Sequence, residues 1–155
     1  MKFERLAQHH DKKSFDCGND EINHYLQTMA SQHIKKDIAK VHVLANGVSI
    51  VGFYTLSALL IDNSDNAIKG YPRQIPAILI GRMGVDVRYQ GQGLSKLLLS
   101  HALNKVKTIS QDVGMAFVVI DAKSDTLASY YQQFGFIPSD TPLRLMMSVK
   151  SIDFD

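Results

Sequence analysis

The sequence predicts a single α/β domain over residues 1–155, with a mixed central sheet and helices on both of its faces. Three observations lead there. Segments with apolar residues at helical spacing alternate with β-rich segments, in the order strand, helix, helix, three strands, helix, strand, helix, two strands. The segment from Met115 to Ile120 is apolar almost throughout, as a strand covered on both sides requires. No repeat, low-complexity tract or Pro/Gly-rich linker divides the chain, and a chain of this size can bury ~70% of its unfolded surface around one core.

Residues 2–7 are expected to form a short first strand. Asn19 is a good N-cap for a helix whose first turn holds Asp20 and Glu21, acids that suit the positive end of the helix dipole. Ile22, Tyr25, Leu26 and Met29 follow at i, i+3, i+4 and i+7 and make one apolar face. A second helical piece continues to about Asp37. Val41 to Ala45 is β-rich, and Asn46-Gly47, a strong hairpin signal, turns the chain into a long apolar strand from Val48 to Ile61. Asp62 to Asn66 is expected to be a solvated polar loop, and Pro72 and Pro76 bracket another connection. The next strand runs from Ile75 to Val87, with Gly84 marking a bulge or a close approach of another backbone. A helix from Gly93 to Ser110 should bury Leu94, Leu97, Leu98, His101, Ala102 and Val106. Beyond the Met115–Ile120 strand, Ser124 caps a helix over Asp125–Gln133. Phe134 to Ile137 leads to the last strand, Leu143 to Lys150.

Composition narrows the function classes. Hydrophobic residues make up 45% and charged residues 21%, which fits a folded globular protein. The one cysteine, Cys17, rules out an intrachain disulfide and a multi-cysteine zinc site. It reads as a packed small residue. The histidines, including His9, His10, His33, His42 and His101, show no metal-ligand spacing, so no metal is expected. The first residues carry charges and no apolar stretch, unlike a secretory signal, and no apolar run approaches the ~20 residues of a membrane span. A cytoplasmic location is the expectation. The net charge of +2 hides an asymmetry. From Asn66 to Gln111 seven cations (Lys69, Arg73, Arg82, Arg88, Lys96, Lys105 and Lys107) face one acid, Asp86, a net of +6, while the remainder is −4. Such blocks point to a polyanionic partner or to a solvated basic helix face.

The chemistry concentrates in Val85-Asp86-Val87-Arg88-Tyr89-Gln90-Gly91-Gln92-Gly93-Leu94, where a strand ends, two glycines follow and a helix begins. Glycines allow a tight turn and close approach to a ligand. The helix start offers unpaired N–H groups and partial positive charge for phosphate, and Arg88 would add a formal charge. A P-loop would need Gly-Lys-Ser/Thr where Gly93-Leu94-Ser95 stands. A dinucleotide fingerprint would need a third glycine where Lys96 stands.

Arg88-x-x-Gly91-x-Gly93 between strand and helix, with Tyr130-Tyr131-Gln132-Gln133-Phe134-Gly135-Phe136 some forty residues on, resembles the GNAT family of acyl-CoA-dependent N-acetyltransferases. The element order matches that fold over about residues 2–150, whose mixed sheet has a splayed, bulged strand. The resemblance implies acetyl-CoA as cosubstrate. Its pyrophosphate would be held by backbone N–H groups from Arg88, Gln90, Gly91, Gln92, Gly93, Leu94 and Ser95. Its pantetheine arm would lie along Arg82, Met83, Gly84 and Val85, with an N–H near Met83 or Gly84 steadying the oxyanion. It also implies direct attack by an amine, with Tyr131 giving a proton to the leaving thiolate. With its ordinary pKa of ~10 the phenol would meet little mismatch against a thiolate of ~8.5. No general base stands out, since Asp86 and Asp121 lie at strand ends without a clear partner.

Phe15-Asp16-Cys17-Gly18-Asn19-Asp20-Glu21-Ile22, Ile75 to Asp86, and Val119-Ile120-Asp121-Ala122-Lys123 are similar, more narrowly, to the GNAT toxins of type II toxin–antitoxin pairs. That resemblance implies acetylation of the α-amino group of aminoacyl-tRNA, a ribbon-helix-helix antitoxin as partner, and a homodimer. Gly84 and Ser95 depart mildly from the group, which often has Ala and Gly there. Lys35, Lys36, Arg82, Lys96 and Arg144 are the candidate tRNA contacts, with Arg144 placed beside the acceptor. An α-amine of pKa ~7.7–8.0 is already partly neutral near pH 7.4 and needs little help from a base. Two other readings stay open: acetylation of a small amine or a protein N-terminus, and a degenerate acyl-CoA-binding regulatory module.

Overall fold

Seven strands form a mixed sheet: β1 (Lys2–Arg5), β2 (Lys40–Asn46), β3 (Ser49–Asp62), β4 (Gln74–Val85), β5 (Phe117–Asp121), β6 (Ile137–Pro138) and β7 (Arg144–Ser148), in the order β1-β2-β3-β4-β5-β7-β6. The structure, a computed structural model, describes residues 1–152. Strands β4 and β5 run parallel, and a parallel neighbour needs a long crossover, which α3 (Leu94–Ser110) supplies. The pairs β1/β2, β2/β3, β5/β7 and β6/β7 are antiparallel. The remaining helices are α1 (Asp20–His24), a π-helical turn (Tyr25–Met29), α2 (Ala30–Lys35) and α4 (Asp125–Gln132). The chain divides into two compact units, residues 1–57 with 81–102, and 58–80 with the chain from 103 onward.

In the first unit, the helical hairpin of α1, the π turn and α2 packs Phe15, Ile22, Tyr25, Leu26 and Ala30 against Val41, Val43, Ala45, Ile50 and Phe53 of β2 and β3. Met29, expected on this apolar face, is 39% exposed and Ala30 is fully buried instead. The π turn is the cause. It bonds Ala30 N–H to Tyr25 O, an i→i+5 link, so one extra residue enters the turn and the next inward position moves from 29 to 30. The opposite face of β2 and β3 carries an aromatic stack. His101 of α3 lies flat on Phe3, with centroids 3.7 Å apart, and its Nδ1 is 2.7 Å from the Tyr54 hydroxyl. The β2–β3 hairpin turns at Gly47, whose φ of 62° favours glycine. The β2/β3 register shifts at Leu44/Ala45.

In the second unit, Ile75 and Ala77 of β4 pack with Phe117, Val119 and Met146 of β5 and β7. Ser124 caps α4, its hydroxyl accepting from Leu127 N–H at 3.2 Å. The loop expected to be simply solvated has an organising residue. Asn63 is buried, its amide donates to Ile68 O and Pro72 O, and its carbonyl accepts from Ile68 N–H. Along α3 the buried residues are Leu98, Leu99, Ala102, Leu103 and Val106. Leu97, expected among them, is 44% exposed, because the buried stripe follows the i, i+4 row 98-102-106 and its neighbours 99 and 103. Among the described residues, no helix is long and apolar enough to cross a membrane.

Candidate functional site

Strand β4 ends at Val85, and a single 3-10 turn (Val87–Tyr89) leads to Gly91 and Gly93. Both glycines hold left-handed backbone, φ 82° and 76°, and a Cβ at either would meet nothing within 4 Å. Conformation, not crowding, therefore asks for glycine here. Gly93 O accepts from Leu97 N–H at 3.3 Å, so Gly93 opens α3. The N–H groups of Leu94, Ser95 and Lys96 lie in the first turn, where no intrahelical acceptor exists. The first turns of α1 and α4 carry acids, Asp20 and Glu21 in one and Asp125 in the other. The first turn of α3 carries none and holds Lys96 instead. A helix that places a cation at its positive end leaves room for an external anion.

Arg88 was expected to offer its charge to that anion. Instead it is committed to Asp86, with Nε 2.9 Å from Oδ1 and Nη2 3.1 Å from Oδ2. Asp86 is buried and also accepts from Arg88 N–H and Asp16 N–H. Burial pushes its carboxyl up, but the Arg88 side chain and these N–H groups outweigh that, and the net pKa lies below the ordinary value. Gln90 donates to Val85 O at 2.8 Å and to Cys17 O at 3.1 Å. The side chains of Arg88 and Gln90 are exposed yet hydrogen-bonded to the protein, Arg88 to Asp86 and Gln90 to two backbone carbonyls.

On β4, Met83 and Gly84 are half-buried and Val85 is buried. At Gly84 it is a side chain, that of Cys17, rather than another backbone that comes close. A Cβ there would sit 3.1 Å from both Cβ and Sγ of Cys17, so alanine is less mild a change in this chain than the resemblance implied. Gly52 is the matching site on β3, where a Cβ would meet Leu98 at 2.9 Å and Gly84 O at 3.0 Å. Burial pushes the Cys17 thiol up, in keeping with a packed, unreactive cysteine. Arg82 N–H donates to the hydroxyl of buried Thr55 at 3.0 Å. The Arg82 guanidinium lies 4.1 Å over the ring of Tyr25, whose hydroxyl is 3.1 Å from His33 Nδ1. Lys35, Lys36, Ser95 and Lys96 are exposed.

Tyr131 and Arg144 belong to the second unit. Tyr131 is 8% exposed, with its ring against Tyr130 and Phe136. Burial pushes its phenol up to about 12, so the acid is weaker than the ordinary value assumed from sequence. Arg144 pairs with Asp121 across the β5/β7 ladder, Nε to Oδ1 2.7 Å and Nη2 to Oδ2 2.8 Å. Asp86 and Asp121 therefore both have arginine partners, contrary to the sequence reading, and neither is an uncommitted base. Arg144 also borders a cavity of about 580 Å³ with Phe117, Ile137, Thr141 and Met146, and follows Leu143, which holds φ 63°. Nothing in the sequence pattern signalled this cavity or the left-handed leucine.

Glu4, His9 and His10 come together with their ligand atoms within 4.8 Å of one another. However, Ala7 N–H donates to His10 Nδ1, which puts the ring proton on Nε2, and Nε2 donates to Glu4 at 2.6 Å. In that tautomer Nε2 has no lone pair for a metal.

Comparison with known proteins shows the family. The chain is 28% identical to the tRNA-acetylating toxin of Mycobacterium tuberculosis, over 94% of this chain and 90% of that protein. Among solved structures it matches AtaT complexed with acetyl-methionyl-tRNAfMet, at TM-score 0.87 and 26% identity, covering 97% of this chain and 95% of that one. It also matches a tyrosine-to-phenylalanine mutant of AtaT bound to the C-terminus of the antitoxin AtaR and acetyl-CoA, at TM-score 0.84 and 27% identity, covering 97% and 94%. Residues 13–145 match the Acetyltransferase (GNAT) domain. An anion-ready helix start behind two left-handed glycines, on a seven-stranded mixed sheet, is what such an enzyme needs, and this chain belongs to the GNAT acetyltransferase family.

Proposed function

We propose that this chain is an acetyl-CoA-dependent toxin that acetylates the α-amino group of aminoacyl-tRNA and so blocks translation. The observation that carries the cosubstrate half is the start of α3: two left-handed glycines, no acid in the first turn and Lys96 in it. The relatives' activities, on tRNA and with acetyl-CoA, support the acceptor half. In this reading Gly91, Gln92, Gly93, Leu94 and Ser95 hold the pyrophosphate through backbone N–H groups, and Met83, Gly84 and Val85 run beside the pantetheine arm.

The amine attacks the thioester carbonyl directly. A base is dispensable for an α-amine of pKa ~7.7–8.0, which agrees with Asp86 and Asp121 being held by arginines. A backbone N–H near Met83 or Gly84 steadies the oxyanion. Tyr131, with its phenol at about 12, stays protonated at every working pH. Burial thus disfavours complete transfer from it to a thiolate near 8.5. Its part is therefore to hydrogen-bond the developing thiolate in the transition state, with the proton lost by the amine available to finish the exchange. Lys35, Lys36, Arg82 and Lys96 contact the tRNA backbone, and Arg144 lies beside the acceptor. A cytoplasmic location, an antitoxin partner and a homodimer belong to the same reading.

The test is incubation with labelled acetyl-CoA and total charged tRNA. Label recovered on an amino acid released from tRNA is the expected result. Label on small amines or peptide N-termini with none on tRNA overturns the acceptor. Transfer to none of these overturns the enzyme.

A further inference from the structure

We propose that Asp86 is a positioning residue that presets the phosphate loop for acetyl-CoA, with Gln90 as a second anchor and Arg88 as the counter-ion of Asp86 rather than a phosphate ligand. This rests on the acetyl-CoA reading above and says which side chains set the geometry that reading needs.

Asp86 sits between the strand and the loop, and both of its oxygens are fully used. Oδ1 accepts from Arg88 N–H and Arg88 Nε, each at 2.9 Å, and Oδ2 accepts from Arg88 Nη2 at 3.1 Å and Asp16 N–H at 3.2 Å. Its backbone is held too, with Asp86 N–H to Val51 O at 2.8 Å and Tyr89 N–H to Asp86 O at 2.9 Å. The second attachment is to the segment before α1. Val87 N–H donates to Asp16 O at 2.8 Å, and the Gln90 amide bridges Val85 O and Cys17 O. Asp16 in turn accepts from Gly18 N–H and from Asn23 of α1, both at 2.9 Å.

Residues 85–90 are therefore clamped on both sides. Gly91 and Gly93, immediately beyond, have open space where a side chain would stand. A loop whose entry is fixed offers its N–H groups to a pyrophosphate without first losing conformational entropy. A guanidinium locked in a fork on a buried carboxylate is poorly placed to leave it for phosphate, because that would strand the carboxylate.

Acetyl-pantetheine, which lacks the pyrophosphate and nucleotide, separates positioning from general damage. For Asp86→Asn the ratio of kcat/KM with acetyl-CoA to kcat/KM with acetyl-pantetheine should fall about tenfold. The change should lie in KM for acetyl-CoA, with kcat for either donor within about twofold. Gln90→Ala, at an exposed residue that does not threaten folding, should lower the ratio about threefold and carries the test if Asp86→Asn does not fold. Arg88→Gln should lower it, and adding Asp86→Asn should make it little worse. An unchanged ratio with both activities reduced makes Asp86 and Gln90 merely structural and overturns the inference. Multiplicative losses in the Asp86/Arg88 pair make Arg88 a direct phosphate ligand and overturn it as well. No binding of CoA by the wild-type chain, measured calorimetrically, overturns the acetyl-CoA reading and this inference with it.

Discussion

Alanine at Gly91 or Gly93 should weaken acetyl-CoA binding by more than it weakens the fold, and Gly47 provides the internal control. All three glycines hold φ between 62° and 82°, and at none would a Cβ meet an atom within 4 Å. The folded-state cost is then the conformational penalty of an L-residue in left-handed backbone, ~1–2 kcal/mol. Reduced freedom of the unfolded chain offsets it by ~0.4–1 kcal/mol. The net loss is about 1 kcal/mol per site, a drop of ~2–4 °C in Tm for a chain of this size. Because the space is open, an alanine loop at 91 or 93 can relax to negative φ, and binding must force it back. A loop that relaxes keeps most of its Tm, and the ~1–2 kcal/mol penalty falls on binding instead, a factor of ~5–30 in Kd. Thermal unfolding and titration calorimetry with acetyl-CoA measure the two quantities separately. Gly47→Ala should show the Tm loss with no change in Kd. Gly52→Ala should lose more Tm than either, since its Cβ would lie 2.9 Å from Leu98 and 3.0 Å from Gly84 O. Wild-type Kd in both loop variants, or equal loss of affinity in Gly47→Ala, would refute the assignment of the loop.

Tyr131→Phe should lower kcat at least a hundredfold with little change in KM for acetyl-CoA, in steady-state kinetics over pH 6–9, because it removes only the donor to the thiolate. The carboxyl of Asp86 is held below its ordinary value, so the stability it contributes is present above the unfolded pKa of ~3.9 and disappears as pH falls through the folded value. Urea melts of Asp86→Asn from pH 7 to pH 3 should accordingly lose the part of the wild-type acid slope that lies below about pH 4. Lys35→Ala and Lys36→Ala should each flatten the salt dependence of tRNA affinity by about one unit of the log–log slope, in filter binding from 50 to 200 mM salt, with no effect on acetyl-CoA. Cys17, with its thiol pKa pushed up by burial, should react with a disulfide reagent far more slowly in the native protein than in urea.

The elements were legible wherever periodicity and punctuation agree. Asn19 and Ser124 cap the helices they were expected to cap, and Asn46-Gly47 turns the hairpin. What was not legible depends on contacts far apart in sequence or on a single backbone choice. The π turn at Tyr25–Met29 has no composition signal, yet it decides whether Met29 or Ala30 faces inward. Asn63 reads as one more polar loop residue until the carbonyls of residues 68 and 72 are seen around its amide. The loop motif gave the glycines and the helix start correctly, because those properties are local. It did not signal the pairing of Arg88 with Asp86, because Asp86 is buried for tertiary reasons: Val51 and Asp16, 35 and 70 residues earlier in the chain, close around it.

The same correction changes what the basic segment means. Its +6 was a sum over sequence, and its members belong to both compact units. Arg82, Arg88 and Lys96 fall in the first unit, while Lys69, Arg73, Lys105 and Lys107 fall in the second. Asp86 pairs with Arg88, and Lys107 donates to Ile152 O. The Arg82 guanidinium lies over the Tyr25 ring, a contact that does not consume its charge. In the proposed reading, attraction for a pyrophosphate at the cofactor loop then rests on backbone N–H groups rather than on an arginine. Among the cations assigned to the second polyanion, Lys35 and Lys36 lie outside the segment that first drew attention to nucleic acid. Mutating Arg88 should therefore leave the salt slope of tRNA binding unchanged, while Arg82→Ala should reduce it, a contrast that no count of charges along the sequence would have given.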